Sequence, residues 1–304
     1  MNSRAFTRYK TLPLKEAVQC IVKQHCKRHG NNCDGNDLYA WTADELQGQK
    51  MCQSICLSAV NNSRISDPYL LRTYNHRYNV APEWVHRHNE GPCYLSIPMT
   101  MLATSAAPFY FKPLKVSISG KTLLFKDGGI RKNKPSTTAY NEFSSLPGRA
   151  SEPGVLLSIG TGLRDESHDG FAKNRGFFPR TAEKTAIVKN MVAKYTDSES
   201  EHEAMLKVAR GNTGWYRRVN VPGLENMELD DWKSGYQKNT GKRVPGLRTI
   251  ATMEECVTKY FSREFNPSLD NSASPKEVIE QVAEKLVRTR RYWMERGRHV
   301  SGGF

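Results

Sequence analysis

The chain has 304 residues, enough for one large domain or two smaller ones around a sizeable core. Hydrophobic content of 38% and charged content of 25% fit a soluble globular protein on the polar side. The net charge of +14 requires basic surface, which attracts nucleic acid, anionic membrane or acidic partners without choosing among them. No apolar run approaches the roughly 18 to 20 residues of a membrane-spanning helix. The N-terminus, "MNSRAFTRYKTLPLKEA", has no apolar core of a secretory signal. The expected location is cytoplasmic.

The first elements are a helix and a short strand. "LPLKEAVQCIVKQHCKRH" places Leu14, Val18, Ile21 and Val22 near helical spacing, and Pro13 suits the first turn. "GNNCDGND" reads as a loop. Five of the seven cysteines lie in the first 60 residues. Cys26, His29 and Cys33 have the chemistry of zinc ligands, but their spacing matches no compact zinc module. The expectation is therefore reduced, mostly buried thiols and no metal. "SICLSAV" reads as a short buried strand, whereas residues 61–94 show no dominant periodicity.

"YLSIPMTMLATSAAP" predicts a helix that ends in small residues before Pro108, and Pro98 limits where it starts. "KVSISGKTLLF" predicts two short strands around Gly120 and Lys121. The continuous "TLLF" suggests burial on both faces. Pro135 suits the first turn of a helix through Ala139 to Phe143, and "GVLLSIGTG" (154–162) reads as another apolar strand. A strand, a helix and a further buried strand indicate an α/β layer fold.

Residues 164–184 read as a polar loop, and a helical stretch follows from about 184 to 209. "GWYRRVNVPG" reads as a strand leading into a loop. Helices are predicted near 249–263 and 275–296. The second has a capping box, with Ser274 as N-cap, Pro275 at the first position and Glu277 at the third.

"TLLFKDGGIRKNKP" is the stretch that carries chemistry. Asp127 ends an apolar strand, where α/β folds place their sites. Gly128 and Gly129 permit unusual backbone angles and the close approach of another chain or a ligand. A carboxylate partly shielded from water there would have a raised pKa and act as a better base. An Asp-Gly pair is also a common turn former, and on these residues alone the plain turn stands first. "GTG" at 160–162 does not make a dinucleotide loop, because Asp165 occupies the position of the third glycine.

"ATSAAPFYF" (103–111), "FKDGG" (125–129), "NKPSTTAYNE" (133–142) and "LLSIGTG" (156–162) occur in that order. Together they resemble the patatin-like phospholipase family in its fungal form. "YKTLPLKEAVQCIV", "RTY" and "TDSESEH" are similar to other stretches of those proteins, so the resemblance covers about residues 9–260. It implies a three-layer α/β/α core and serine acyl hydrolysis of lipid esters by a Ser–Asp dyad. It places the base at Asp127, first residue of the Asp127-Gly128-Gly129 motif, and implies no cofactor. Residues 1–264 would form the partial family domain, and residues 265–304 a basic helix packed on or beside it.

The departures weigh as much as the matches. No glycine in the chain is followed two positions later by a serine, so the Gly-X-Ser-X-Gly elbow that holds the family's nucleophile is absent. The Gly-rich oxyanion loop is absent too. Leu102 stands where arginine is common, and Lys134 where a second asparagine is usual. The resemblance thus implies a core that lacks its N-terminal strands and a base without a group to activate. Ser105 is the tempting substitute, but its segment suggests an ordinary packed serine. Strands left unpaired, "TLLF" or "GVLLSIG", would present apolar edges and weaken the fold.

The partner the resemblance implies is a lipid or membrane-surface substrate, with no specific nucleic acid. The alternatives are a non-catalytic binding protein, or a basic surface binder of anionic membrane or nucleic acid. "EKLVRTRRYWMERGR" interleaves basic and aromatic residues in a way that suits either surface. Its competing reading is a helix that docks Val278, Val282 and Leu286 on the core, with its charges solvated.

Overall fold

The computed structural model describes residues 7–27, 29–40, 54–61, 64–118, 120–130, 135–146, 152–162, 201–209, 214–224, 227, 230–267, 269–270 and 272–299. Helices and sheets are mixed throughout, as the α/β expectation requires. The described residues up to 146 belong to one compact unit, and those from 152 onward to a second.

The first unit is built on a four-stranded antiparallel sheet. Its strands are β1 (Cys56–Asn61), β2 (Arg64–Arg72), β3 (Leu114–Ile118) and β4 (Lys121–Asp127), in the order β2-β1-β4-β3. β3 and β4 form the predicted hairpin, with Ile118 opposite Lys121. Gly120 takes a φ of 75° in the turn, a region closed to most side chains. Leu57 and Ala59 of β1 share a face with Leu123 and Phe125 of β4, by the two-residue period of strands. Ala59, Leu71 and Phe125 join Tyr39, Leu95 and Ala103 in the core of this unit.

Helix α2 (Ile97–Thr104) supplies Ala103 to that core and carries Pro98 in its first turn, where a missing N–H costs nothing. Helix α1 (Thr11–His25) lies against α2. Leu14, Val18 and Val22 are half-buried, four residues apart, whereas Ile21 falls off that stripe and is exposed.

Three expectations change in this unit. β2 was not foreseen, because Pro68 interrupts its pattern. The proline is tolerated because β2 is the edge strand of this sheet among the described residues. That edge is covered at Leu70, whose N–H donates to Asn89 Oδ1 at 2.7 Å and whose carbonyl accepts from Asn89 Nδ2 at 2.9 Å. "TLLF" is not buried on both faces: Phe125 is buried, Leu123 and Leu124 are half-buried, and Thr122 is exposed. On one side it pairs with β3 along its length, whereas on the other β1 reaches only Phe125, so among the described residues Thr122, Leu123 and Leu124 have no strand on the β1 side. The thiols are also less buried than expected. Cys33 and Cys93 are buried, but Cys20 and Cys56 are exposed, and Cys52 lies outside the described residues.

In the second unit, β5 (Leu156–Ile159) pairs in parallel with β6 (Tyr216–Val219). A parallel pair needs a crossover, and the helix 201–208 lies in it. Met205 from that helix is fully buried, and His202 Nδ1 meets the Tyr216 hydroxyl at 3.0 Å. Among the described residues β5 pairs only with β6, and Ile159 at its end is 73% exposed. A two-residue hairpin follows, β7 (Gly235–Tyr236) with β8 (Arg243–Val244).

Of the remaining helices, α5 runs over Leu247–Ser262 and α6 over Pro275–His299; α3 is Pro135–Ser144 in the first unit, and 201–208 counts as α4. The capping box of α6 is present. Glu277 Oε2 accepts from the Ser274 backbone N–H and from its hydroxyl, each at 2.8 Å. Val282 is buried and Val278 half-buried, but Leu286 is exposed, so only the first half of α6 docks as expected. The loop predicted at 164–184 lies outside the described residues.

Candidate active site

Asp127 is the last residue of β4, and its position is fixed from three sides. Its cross-strand partner is Ala59, which is fully buried and offers only a methyl group beside the carboxylate. Its backbone N–H donates to the Ala106 carbonyl at 3.1 Å. Its Oδ1 accepts the Gly129 N–H at 2.6 Å, across the short 3-10 turn Gly128–Ile130. The carboxylate thus caps its own turn, and Asp127 is half-buried. The turn reading and the strand-end reading describe the same residue.

Gly128 has a specific steric cause. A Cβ at this position would run into the backbone carbonyl and the hydroxyl of Ser58 on β1. The close approach expected from the sequence is therefore made by the protein's own strand, at least at Gly128. Thr104 Oγ1 donates to the same Ser58 carbonyl at 2.7 Å, which ties the end of α2 to this corner.

Ser105 stands at the C-terminal end of α2. Its N–H donates to Met101 O at 3.1 Å, and its carbonyl accepts from Ala107 at 2.8 Å. A nucleophile elbow presents its serine where a strand turns into a helix. Ser105 instead closes a helix. The "GTG" glycines serve pairing in the second unit: Gly160 N–H donates to Val219 O at 2.8 Å, and Gly162 N–H to Asn220 Oδ1 at 2.9 Å.

A buried polar network joins two other stretches that carried the resemblance, "RTY" and "TAYNE". Arg72 ends β2 and Glu142 lies on α3. Tyr78 donates to Glu142 Oε1 at 2.6 Å and Tyr74 to Oε2 at 3.2 Å. Arg72 also donates to the Asn89 carbonyl at 2.6 Å. Burial alone would push the Glu142 carboxyl up, but the bonds and charge of Arg72, with the Tyr78 hydroxyl, hold it below the ordinary glutamate range. Burial lowers the pKa of His76, and the Arg72 charge lowers it further against the opposing pull of Glu142. His76 Nε2 contacts the Ser145 hydroxyl at 3.0 Å. Sequence reasoning missed this network. The one available signal was that Arg72 and Glu142 both fall inside quoted stretches.

Among the described residues, Cys26, His29, Cys33 and Asp37 form a group with metal-ligand atoms close together. Asp37 was not among the sequence candidates.

The chain matches no family model. It is 25% identical over 177 residues to "Patatin-like phospholipase 1" of Plasmodium falciparum (isolate NF54), a match that covers 53% of this chain and 25% of that protein. The chain thus spans about a quarter of the length of that curated relative. The similarity is distant, and it supports a resemblance to patatin-like lipid hydrolases and their α/β fold. No helix among the described residues is long and apolar enough to cross a membrane.

Proposed function

We propose that this chain derives from the patatin-like serine acyl hydrolases of fungal type, that it keeps their base as Asp127, and that it lacks their nucleophile. The observation that carries this reading is the hydrogen bond from Asp127 N–H to Ala106 O. It ties "ATSAAP" to "KDGG", two of the ordered stretches shared with the family, and holds a carboxylate at a strand end beside the small Ala59. In a Ser–Asp dyad the carboxylate takes the serine proton while the oxygen attacks the ester carbonyl. An acyl-enzyme forms, the alcohol leaves, and water then releases the acid. Without the hydroxyl no acyl-enzyme forms, however well the base is placed.

The 304 residues are therefore expected to be inactive by themselves on lipid esters. The purified chain and its Asp127→Asn variant, assayed with a chromogenic short-chain ester, should give the same background. Turnover that depends on Asp127 would overturn the inactivity. The lineage is tested separately, by reading the genomic sequence upstream for an in-frame Gly-X-Ser-X-Gly segment. A chain extended through such a segment should hydrolyse lipid esters and lose that activity in Asp127→Asn.

A second surface favours a lipid-facing protein that is peripheral at membranes. The far half of α6 exposes Leu286, Val287, Tyr292 and Met294 among Arg288, Arg290 and Arg291. Val287 and Met294 lie two turns apart on one face. That exposed pair, with Arg290 and Arg291 to either side of it, suits an anionic bilayer surface. Co-sedimentation with anionic vesicles, neutral vesicles and duplex DNA at two salt concentrations tests it. Binding to anionic vesicles that survives moderate salt is expected. Equal retention on DNA would point to charge alone.

A further inference from the structure

Four metal-binding side chains converge where α1 ends. Cys26 follows the last residue of α1, His29 and Cys33 flank the 3-10 turn Gly30–Asn32, and Asp37 comes four residues later. One donor atom from each lies within 4.8 Å of the others. Cys26 Sγ is 3.5 Å from His29 Nδ1 and 3.1 Å from Asp37 Oδ2. His29 Nδ1 is 3.0 Å from Asp37 Oδ1, and Cys33 Sγ is 3.8 Å from Asp37 Oδ2. Around a tetrahedral zinc ion, with bonds of about 2.3 Å to sulfur and about 2.0 Å to nitrogen and oxygen, the edges between ligand atoms run from about 3.3 to about 3.8 Å. The observed separations, taken to Asp37 Oδ2 from the sulfurs and to Oδ1 from His29, run from 3.0 to 3.8 Å, close to those edges.

The surroundings support the same chemistry. Each sulfur accepts a backbone N–H, His29 to Cys26 Sγ and Gly35 to Cys33 Sγ, both at 3.4 Å. Such bonds fix the direction of each sulfur independently of any ion. The loop is also anchored independently of any ion. Gln19 of α1 donates to Asn36 Oδ1 at 2.9 Å, and the Asp37 carbonyl accepts the Ile97 N–H at 2.8 Å at the start of α2.

We propose that Cys26, His29, Cys33 and Asp37 bind one zinc ion. The site fastens the end of α1 to the segment that leads to α2. Two thiolates select a borderline-soft ion over magnesium, calcium or manganese. Four protein ligands leave no open position, so the site is structural rather than catalytic. The spacing, C-x2-H-x3-C-x3-D, resists recognition because its fourth ligand is a carboxylate. Nothing in this assignment depends on the reading of Asp127.

The test uses the whole chain, expressed with added zinc and then desalted. About one zinc per chain is expected by elemental analysis. Cys26→Ser with Cys33→Ser should abolish it, whereas Cys20→Ser, an exposed thiol outside the group, should not. Cobalt in place of zinc should give the intense visible bands of a tetrahedral site and a near-ultraviolet band from thiolate ligands. If the double variant fails to fold, the unmutated chain still decides. Zinc should protect Cys26 and Cys33 from alkylation, and chelation should expose them, as read by peptide mass spectrometry. Zinc far below one equivalent, an octahedral cobalt spectrum, or a Cys26–Cys33 disulfide in the freshly isolated chain would overturn the proposal.

Discussion

The Arg72 guanidinium and the Glu142 carboxylate form a two-point ion pair inside the first unit, Nε to Oε2 at 2.6 Å and Nη2 to Oε1 at 2.8 Å. Arg72 is fully buried and Glu142 nearly so, and the pair locks the end of β2 to α3 away from the surface. Breaking such a pair costs more than the pair contributes, because the survivor stays buried and unpaired. Glu142→Gln is expected to destabilise by about 3–5 kcal/mol, and Arg72→Met by a similar amount. The double variant should cost clearly less than their sum. Urea unfolding of the four proteins measures the difference, and strictly additive costs would mean that the two residues do not act as a pair.

The same network predicts loss of stability in acid, in two stages. The folded-state pKa of His76 is depressed, mainly by burial. Below the ordinary histidine value of about 6.5 the unfolded chain takes up a proton that the folded chain refuses, so stability falls as pH drops through that range. Glu142 is also depressed, by Arg72 against its burial. Its contribution is present above the ordinary glutamate range and is lost as pH falls below about 4.5. Melting temperatures from pH 8 to about pH 3 should show both stages. His76→Gln should remove the first and leave the second, whereas a flat profile between pH 7 and 5.5 in the unmutated chain would contradict this account.

Gly128→Ala should destabilise by about 1–3 kcal/mol, as overpacking does. The added methyl group meets the Ser58 backbone carbonyl, which cannot rotate away as a side chain can. Ser58→Ala should therefore fail to rescue Gly128→Ala in thermal melts. Rescue would show that the hydroxyl is the obstacle.

What the sequence made legible was local. The β3–β4 hairpin announced itself through alternation on one side of Gly120 and an apolar run on the other, and α6 through Ser274, Pro275 and Glu277. What stayed hidden depended on distant partners. β2 hides behind Pro68, which is harmless only because the strand lies at an edge. The Arg72–Glu142 pair spans 70 positions, and no periodicity reports such a contact. At the candidate site the acid and its turn were legible in "KDGG". The role of Gly128 was not, because the group it makes room for lies on β1. Asp37 escaped notice because a carboxylate after two cysteines and a histidine looks like ordinary loop chemistry.

Ser274→Ala should cost about 1 kcal/mol, by removing the N-cap hydroxyl and half of the reciprocal box with Glu277. The loss should be local. Amide exchange is expected to quicken in the first turn of α6 and to stay unchanged across β1 and β4. Uniform quickening along the chain would place the hydroxyl's role elsewhere.

Asp127 permits a separation of structural from catalytic roles. Asn keeps an oxygen that can accept the Gly129 N–H, whereas Ala removes the acceptor and leaves that donor unmet. Asp127→Asn should therefore melt close to the unmutated chain, and Asp127→Ala should be about 1 kcal/mol less stable. Asn cannot act as a base at neutral pH, so in a chain that carries a serine elbow both variants should be equally inactive on esters. Matched melts with unequal stability losses, set beside identical loss of turnover, would assign the turn to the oxygen and the chemistry to the charge. If Asp127→Asn proved as unstable as Asp127→Ala, the charge itself would be holding the turn, and stability and activity could no longer be attributed to different features of one side chain.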